Sequence, residues 1–562
     1  MSISCKYDLF KYPFFLKDTG SQIMVGGQLK LAEDAPKIDL VIGGDVLVEA
    51  PHYEVNDGSV FISGRLQPHL LYLAREEERI KQSSHRDAEE QTDEEQDIYQ
   101  PREYGYSWTG EAGLTYEERI EIPGLSPEMM VEVEVVPSDL TFSKDAPDRV
   151  AFNGKLELII HTAYYQTAQV ISDLTALAQE KININKELLA VEEILSAKTV
   201  AFTMRPIVAL PRIKPGACRI LDHVVKPVGL YCEESRGKIM VKGYLDLDLI
   251  YVGCDDEGQP TEIFVNNWNQ ANGTAIPFET YLDVEPHGEN LFVIPRIAIR
   301  NITFDLISSH EMHCQIDLDC YARISRIAQK EIAVDVDSGA GEIIDSQKYM
   351  LNVEEFAGEI SGEINLDQEP ELPANFEVPE RILSCRGTLK DFRVESLDGK
   401  ALVEGSLELN LLYMADGINR SKLVLAKWNA NNNNALAVTG MIDFTGLQPG
   451  AIVRTYVTLD SLQVELTGEK GLRLTATMKT RIFARTPRAI LVLKDCASVV
   501  PVDPGLRPSM LFYLVQPGDT LWKIARLYQT TVESLARTNR ITNTDRLETG
   551  QKLLIPKQIV NA

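Results

Sequence analysis

His310, His313 and Cys314, in the run HEMHC, are by residue type the chain's best candidates for holding a metal ion, and Asp246 and Asp248 are its clearest carboxylate pair. Neither set has the spacing its chemistry requires. Zinc sites declare themselves by four ligands in close-spaced pairs, but HEMHC lies in strand-like sequence with no fourth ligand nearby. Asp246 and Asp248 alternate with apolar residues, which places both on the polar face of a strand, a solvent face by this reading. There is no H-E-x-x-H, no G-x-S-x-G, no phosphate loop and no C-x-x-C pair. No catalytic residue, metal or cofactor is therefore assigned, and an enzyme is not expected. The eight scattered cysteines read as reduced, mostly buried thiols of a cytosolic protein. A net charge of −27 argues against nucleic acid and against an anionic membrane surface. No apolar run approaches the roughly 18 residues of a spanning helix, so no transmembrane segment is expected. The amino terminus shows no basic region followed by a long apolar run, the pattern of a secretory signal.

The elements that position these residues repeat. GSVFISGRLQPHLLY, GKIMVKGYLDLDLIY and GKALVEGSLELNLLY begin at Gly58, Gly237 and Gly399. In each a second glycine and a closing tyrosine (Tyr72, Tyr251, Tyr413) occupy the same places, and a tryptophan follows: Trp108, Trp268 and Trp428. The second and third copies keep one offset upstream, where LLAVEEI from Leu188 answers MLNVEEF from Met350. In the second copy Ile239, Val241, Leu245, Leu247, Leu249 and Tyr251 share one face, the alternation of a half-buried strand. Gly243 falls on that face, where a bulge or bend is expected. The repeated tyrosines and tryptophans are expected in cores, given the area such rings bury.

The first copy is longer because REEERIKQSSHRDAEEQTDEEQD is inserted between Arg75 and Asp97. Its ten acidic and four basic residues cannot bury enough apolar surface to fold, so 75–100 is expected to be disordered. The expected division is repeat 1 over 1–165, repeat 2 over 166–327, repeat 3 over 328–495, a linker over 496–512 and a different tail over 513–556. In that tail a strand leads to Asp519 or Thr520, either of which can cap a helix with Leu521, Ile524, Ala525 and Tyr528 on one face. Thr530 with Glu533 forms a capping-box pattern for a second helix, and KLLIP closes the module as a strand. The fold class is mainly β: three repeated antiparallel β domains followed by a small β-α-α-β module.

The tail, VQPGDTLWKIARLY…TTVESLARTN…LETGQKLLIP, resembles a LysM domain over its whole length. LysM domains bind N-acetylglucosamine polymers, and the resemblance implies a groove formed by Gly518, Asp519, Thr520 and Leu521 with Asn539, Arg540, Ile541 and Thr542 opposite. Where many family members have a proline soon after the asparagine, this chain has Thr542 and Asn543. The repeats resemble SPOCS domains of endospore-forming bacteria. The combination is similar to spore-coat morphogenetic proteins. It implies the mother-cell cytoplasm at the forespore surface, contacts with the coat base-layer ATPase and other coat proteins, and binding of peptidoglycan or its precursor through LysM. The alternative from the same residues is a peptidoglycan-binding surface adhesin or an accessory protein of a cell-wall hydrolase.

Overall fold

The computed structural model describes residues 3–15, 18–80, 96–176, 182–235, 238–283, 291–338, 343–372, 376–416, 421–430, 434–468, 471–499, 510–544 and 546–556. The first segment carries β1 (Ile3–Phe15), β2 (Thr19–Lys30), β3 (Ile38–Val48), β4 (His52–Asn56), β5 (Ser59–Ile80), β6 (Gln96–Ser107), β7 (Leu114–Glu121), β8 (Met130–Ala146) and β9 (Arg149–Ala176). The second carries β10 (Ile182–Met204), β11 (Ile207–Ala209), β12 (Gly216–Ser235), β13 (Lys238–Cys254), β14 (Pro260–Trp268), β15 (Ile276–Asp283), β16 (Leu291–Leu306) and β17 (Glu311–Ser338). The third carries β18 (Ile343–Gln368), β19 (Pro379–Leu397), β20 (Lys400–Ala415), β21 (Lys422–Trp428), β22 (Leu436–Asp443), β23 (Ile452–Thr467) and β24 (Gly471–Val499). The tail is β25 (Leu511–Leu514), α1 (Leu521–Leu527), α2 (Val532–Asn539) and β26 (Lys552–Ile555).

Each of the first three segments folds into two antiparallel sheets. One is built around the repeated stretch: β5 between β3/β4 and β6/β7, β13 between β12 and β14/β15, β20 between β19 and β21/β22. The other is built around the long closing strands β9, β17 and β24. The inner faces of the two sheets make one core in the first and third segments and two neighbouring clusters in the second. Every expected inward residue of β13, from Ile239 to Tyr251, is at most 2% exposed. The closing strands are continuous through 165/166, 327/328 and 495/496, because their outer halves pair with the opening strands β1, β10 and β18 of their own segments.

The repeated aromatics anchor these cores. Tyr72, Tyr251 and Tyr413 are buried and donate to the carbonyls of Pro36, Pro215 and Glu377 at 3.0, 3.1 and 2.8 Å, each 36 residues upstream. Burial pushes all three phenols up to about 12. Trp108 and Trp428 donate to Lys30 and Glu371 carbonyls at 2.8 and 3.0 Å. The expected irregularity at the glycines lies in the partner strands, where β12 and β19 bulge opposite Gly243 and Gly405. β13 and β20 run unbroken, and the open place at Gly64, Gly243 and Gly405 seats the ring of Tyr116, Phe278 and Phe392 respectively.

The apolar residue before each repeated tyrosine has a tertiary cause. While each tyrosine points into its own core, the residue before it (Leu71, Ile250 or Leu412) points the other way, into one apolar hub shared by all three segments. Two further residues of the hub, Leu221 and Leu383, and Ile42 packed against it, are bulged out of the edge strands β12, β19 and β3 at matching places. A bulge re-aims one side chain without disturbing the alternation on either side. The sheets meet cyclically: β6 beside β12, β14 beside β19, and β21 beside β3. The outer halves of the closing hairpins pack into a second shared core, with Phe10, Leu189 and Leu351 in corresponding positions.

Several expectations change. Cys218, the extra residue of a bulge in β12, is disulfide-bonded to Cys254 at the end of β13, Cα atoms 5.2 Å apart, so the eight cysteines are not all thiols. Asp246 and Asp248 are half-buried rather than solvated. They accept from Gln270 N and Asn267 Nδ2 at 2.9 and 2.6 Å, and burial raises both carboxyls. The backbone ladder of β5 and β6 extends through Arg75–Pro101 to Ile80–Gln96, because cross-strand bonding continues past the core pair. The rest of the expected disordered insertion, 81–95, lies outside the described residues.

Candidate functional site

In the tail, Leu511, Tyr513 and Val515 turn inward from β25 and meet Leu521, Ile524, Ala525, Leu535, Ala536, Leu553 and Ile555 in one small core. The chain leaves β25 through a tight turn with Gly518 at φ +85, a conformation that favours glycine. Asp519 closes this turn: its Oδ2 accepts from Gln516 N and from the Tyr513 hydroxyl, both at 2.7 Å. Burial, and then Asp519, raise the Tyr513 phenol above its ordinary range. Thr520 caps α1, its hydroxyl accepting from Lys523 N at 3.1 Å. The second cap is Thr531 rather than Thr530, accepting from Ser534 N at 3.1 Å; with Ser534 three residues after the cap, the expected box of Thr530 with Glu533 does not form. Thr530 instead bonds back through its own N–H to Ala525 O at 2.8 Å, ending the first helix.

The eight expected groove residues take different parts. Gly518, Thr520, Arg540 and Thr542 are exposed and Asp519 half-exposed, while Leu521 is 1% exposed and belongs to the core. Asn539 is occupied internally. Its Oδ1 accepts from Leu554 N at 2.6 Å, and its Nδ2 donates to Leu554 and Leu535 carbonyls at 2.8 and 2.9 Å. That side chain staples α2 to the closing strand. Arg540 follows at φ 56 as the left-handed cap of α2, and Ile541 drops back to pack on the core that also holds Leu521. The two loops are thus hung on one core through Leu521 and Ile541, with backbone and small polar groups left at the rim.

One surface residue was missed. Trp522 is 48% exposed, with the Arg526 guanidinium 4.6 Å from its ring centroid. Helical periodicity carries the signal, since an inward Leu521, Ile524 and Ala525 put positions 522 and 526 outside. The HEMHC run does not converge. His313 points outward and Cys314 inward from β17, and His310 is engaged by Lys214 O and Ser309 Oγ, both at 3.1 Å. No cluster of three metal-ligating side chains occurs among the described residues.

Residues 513–556 match the LysM domain family, and residues 379–467 match the family described as SipL, SPOCS domain. The chain carries a SPOCS domain followed by a LysM domain. The SPOCS match runs from the first residue of β19 to the last of β23, taking in the sheet around β20 and, of the sheet packed on it, β23 alone. No curated protein and no solved structure is a match to the chain. SPOCS and LysM are binding or scaffold domains, and together they support a sporulation-related protein with peptidoglycan-binding capacity. No helix among the described residues is long and apolar enough to cross a membrane.

Proposed function

We propose that this protein is a non-enzymatic scaffold of spore-coat assembly, working in the mother-cell cytoplasm at the forespore surface. LysM docks to peptidoglycan, its precursor or a coat base-layer protein, and three SPOCS-like units present surfaces to the base-layer ATPase and other coat proteins. The observation that carries this reading is the contrast between the two parts of the chain. Residues 513–562 hold seven Lys or Arg against four Asp or Glu, a balance of +3, while the remainder carries −30. A basic module with two loops preset by its core suits an anionic, glycan-bearing surface, to which an acidic body would not adhere by itself. Repetition suits multivalent contact, in which effective concentration strengthens individually weak bonds.

The groove is assigned to Gly518, Asp519, Thr520, Arg540 and Thr542, with Leu521, Asn539 and Ile541 holding the loops that present them. The test is a fluorescent fusion of the full chain, and of a chain ending at Pro508, followed through sporulation. The full chain is expected to encircle the forespore and the shortened one to lose that place. Full-length protein found outside the cell would overturn the reading in favour of a surface adhesin.

A further inference from the structure

The first and third units finish one end of their cores with the same turn. After β7 comes IPGLSP, from Ile122, and after β22 comes FTGLQP, from Phe444. Leu125 and Leu447 are 3% and 0% exposed, each inside its own unit's core. The bonds that hold them match. The Ile122 and Phe444 amides donate to the Gly58 and Gly399 carbonyls at 2.8 and 2.9 Å. In return the Gly58 and Gly399 amides donate to the Leu125 and Leu447 carbonyls, both at 2.9 Å. Gly124 and Gly446, at φ +85 and +88, supply the left-handed position of the turn.

At the same place the second unit has VEPHGEN, 284–290, with His287 where the leucine stands; these residues lie outside the described ones. The strands around that place also differ. β3 packs closely along β8, and β19 along β23, whereas β12 meets β16 only sparsely. Between β12 and β16 lies a cavity of about 350 Å³, walled by Leu230, Cys232, Leu291 and Val293 together with Arg481 of β24. That volume is within the range of sites that take a ligand. Cys232 stands opposite Val241 as Tyr53 stands opposite Ile62, so a thiol replaces the ring that packs into the first unit's core. Glu234 occupies the place of Ser396, whose hydroxyl accepts from Gly450 N, just past the third unit's turn, at 3.1 Å. Glu234 is exposed and has no partner among the described residues.

The pattern G-L-x-P occurs three times in the sequence: at Gly124, at Gly446, and at Gly505 in DPGLRP, between the third unit and the LysM module. We propose that Leu506 of a second copy of this chain seats in the cavity between β12 and β16, supplying the G-L-x-P turn absent from the second unit's sequence. The donor is a second copy because the chain's own Leu506 falls short. Val499 ends β24 eighteen residues beyond Arg481, roughly 60 Å along the strand at about 3.3 Å per residue. The seven residues from Val499 to Leu506 span at most about 25 Å. Arg507 follows Leu506, and a basic residue there suits the acidic Glu234 beside the cavity. Each copy then offers one linker and one cavity, a head-to-tail contact that joins copies into rings or filaments. Such association is independent of what LysM binds and of where in the cell the chain resides.

Full-length protein is followed by sedimentation velocity over a series of concentrations. The unsubstituted chain is expected to gain larger species as concentration rises, and Leu506→Asp, a change confined to the linker, is expected to remove them. Cys232→Tyr, which refills the cavity, is expected to do the same. A mixture of the two variants is expected to form a species of two copies, because one keeps the cavity and the other the linker. An isotope-labelled chain with p-benzoylphenylalanine in place of Leu506, mixed with unlabelled chain, is expected to crosslink to β12 or β16 of the unlabelled copy. Should Cys232→Tyr fold poorly, Leu506→Asp and the crosslink decide. A chain that sediments as one copy at every concentration overturns the proposal, as do larger species that Leu506→Asp leaves in place or crosslinks confined to a single chain.

Discussion

A methyl group at Gly243 would lie 2.8 Å from both Phe278 Cζ and Leu230 Cδ2, and one at Gly405 would lie 2.7 Å from the Phe392 ring. These distances leave no room for a side chain, so valine at either position must displace a ring from the core. Each substitution is expected to cost about 1–3 kcal/mol, read as a lower melting temperature, and an unchanged melt for both would show the seats to be incidental. Polar residues beside the hub are equally exposed to substitution. Arg386 donates from Nη2 to Asp222 Oδ1 at 2.6 Å and to the His223 carbonyl at 2.7 Å, while its Nη1 meets Asp45. Burial would raise Asp222, but Arg386 and then His69 hold its carboxyl below the usual range. Arg386→Met would leave that carboxylate buried without its partner, at an expected cost of about 3–5 kcal/mol in denaturant unfolding.

The same cluster gives stability a pH dependence. Burial pushes His223 down to about 4, with Asp222 pulling upward and His69 and Arg386 pushing further down; Phe304 packs on its other side. In the unfolded chain the ring takes up its proton near pH ~6.5. Between these values the unfolded state binds the proton and the folded state does not, so this contribution is intact above about 6.5 and is lost as pH falls toward 4. His223→Gln is expected to flatten that segment of the stability profile, measured by urea unfolding at a series of pH values. A profile identical to that of the unsubstituted protein would rule out His223 as its source.

On the scale of elements, the LysM module separates residues that hold the loops from residues that line them. Asn539→Ala removes two bonds between α2 and β26 and one within α2, and leaving the Leu554 amide and carbonyl unpartnered is expected to cost about 1–3 kcal/mol. Thr520→Val removes a helix cap, for about 1 kcal/mol. Arg540→Ala and Thr542→Ala are expected to leave the melting of the module unchanged and to weaken its sedimentation with purified peptidoglycan. If Asn539→Ala weakened sedimentation with no loss of stability, its amide would belong to the groove instead.

For the whole molecule, truncation and salt distinguish the two parts of the chain. A chain ending at Pro508 keeps every strand of the three-unit body and is expected to unfold as cooperatively as that body does in the full chain. Because the basic module would act largely through exposed charge, retention of the full chain on peptidoglycan is expected to fall as salt rises, with screening over about 8 Å at physiological ionic strength. Salt-independent retention would assign the attraction to groove contacts rather than to charge.

Sequence alone determined what depends on nearby residues. Alternation over β13 and β20 named the faces that enter the cores, since side chains on a strand point to opposite sides by geometry. Repeat spacing placed Tyr72, Tyr251 and Tyr413 in equivalent roles, and the tail was legible as two capped helices between strands, within one residue at the second cap. What required the tertiary structure was every contact between units. The shared hub depends on bulges that turn Ile42, Leu221 and Leu383 out of their strands, and a single bulged residue leaves little trace in an alternating pattern. The Cys218–Cys254 bond follows from such a bulge, and the partners of Arg386 lie 164 and 341 residues away in sequence. The resemblance to LysM places Asn539 in the groove; only the position of β26, which its amide grips, shows that its side chain is engaged inside the module. Local periodicity fixes which way a side chain faces, whereas the element it meets there is set by packing among segments far apart in the chain.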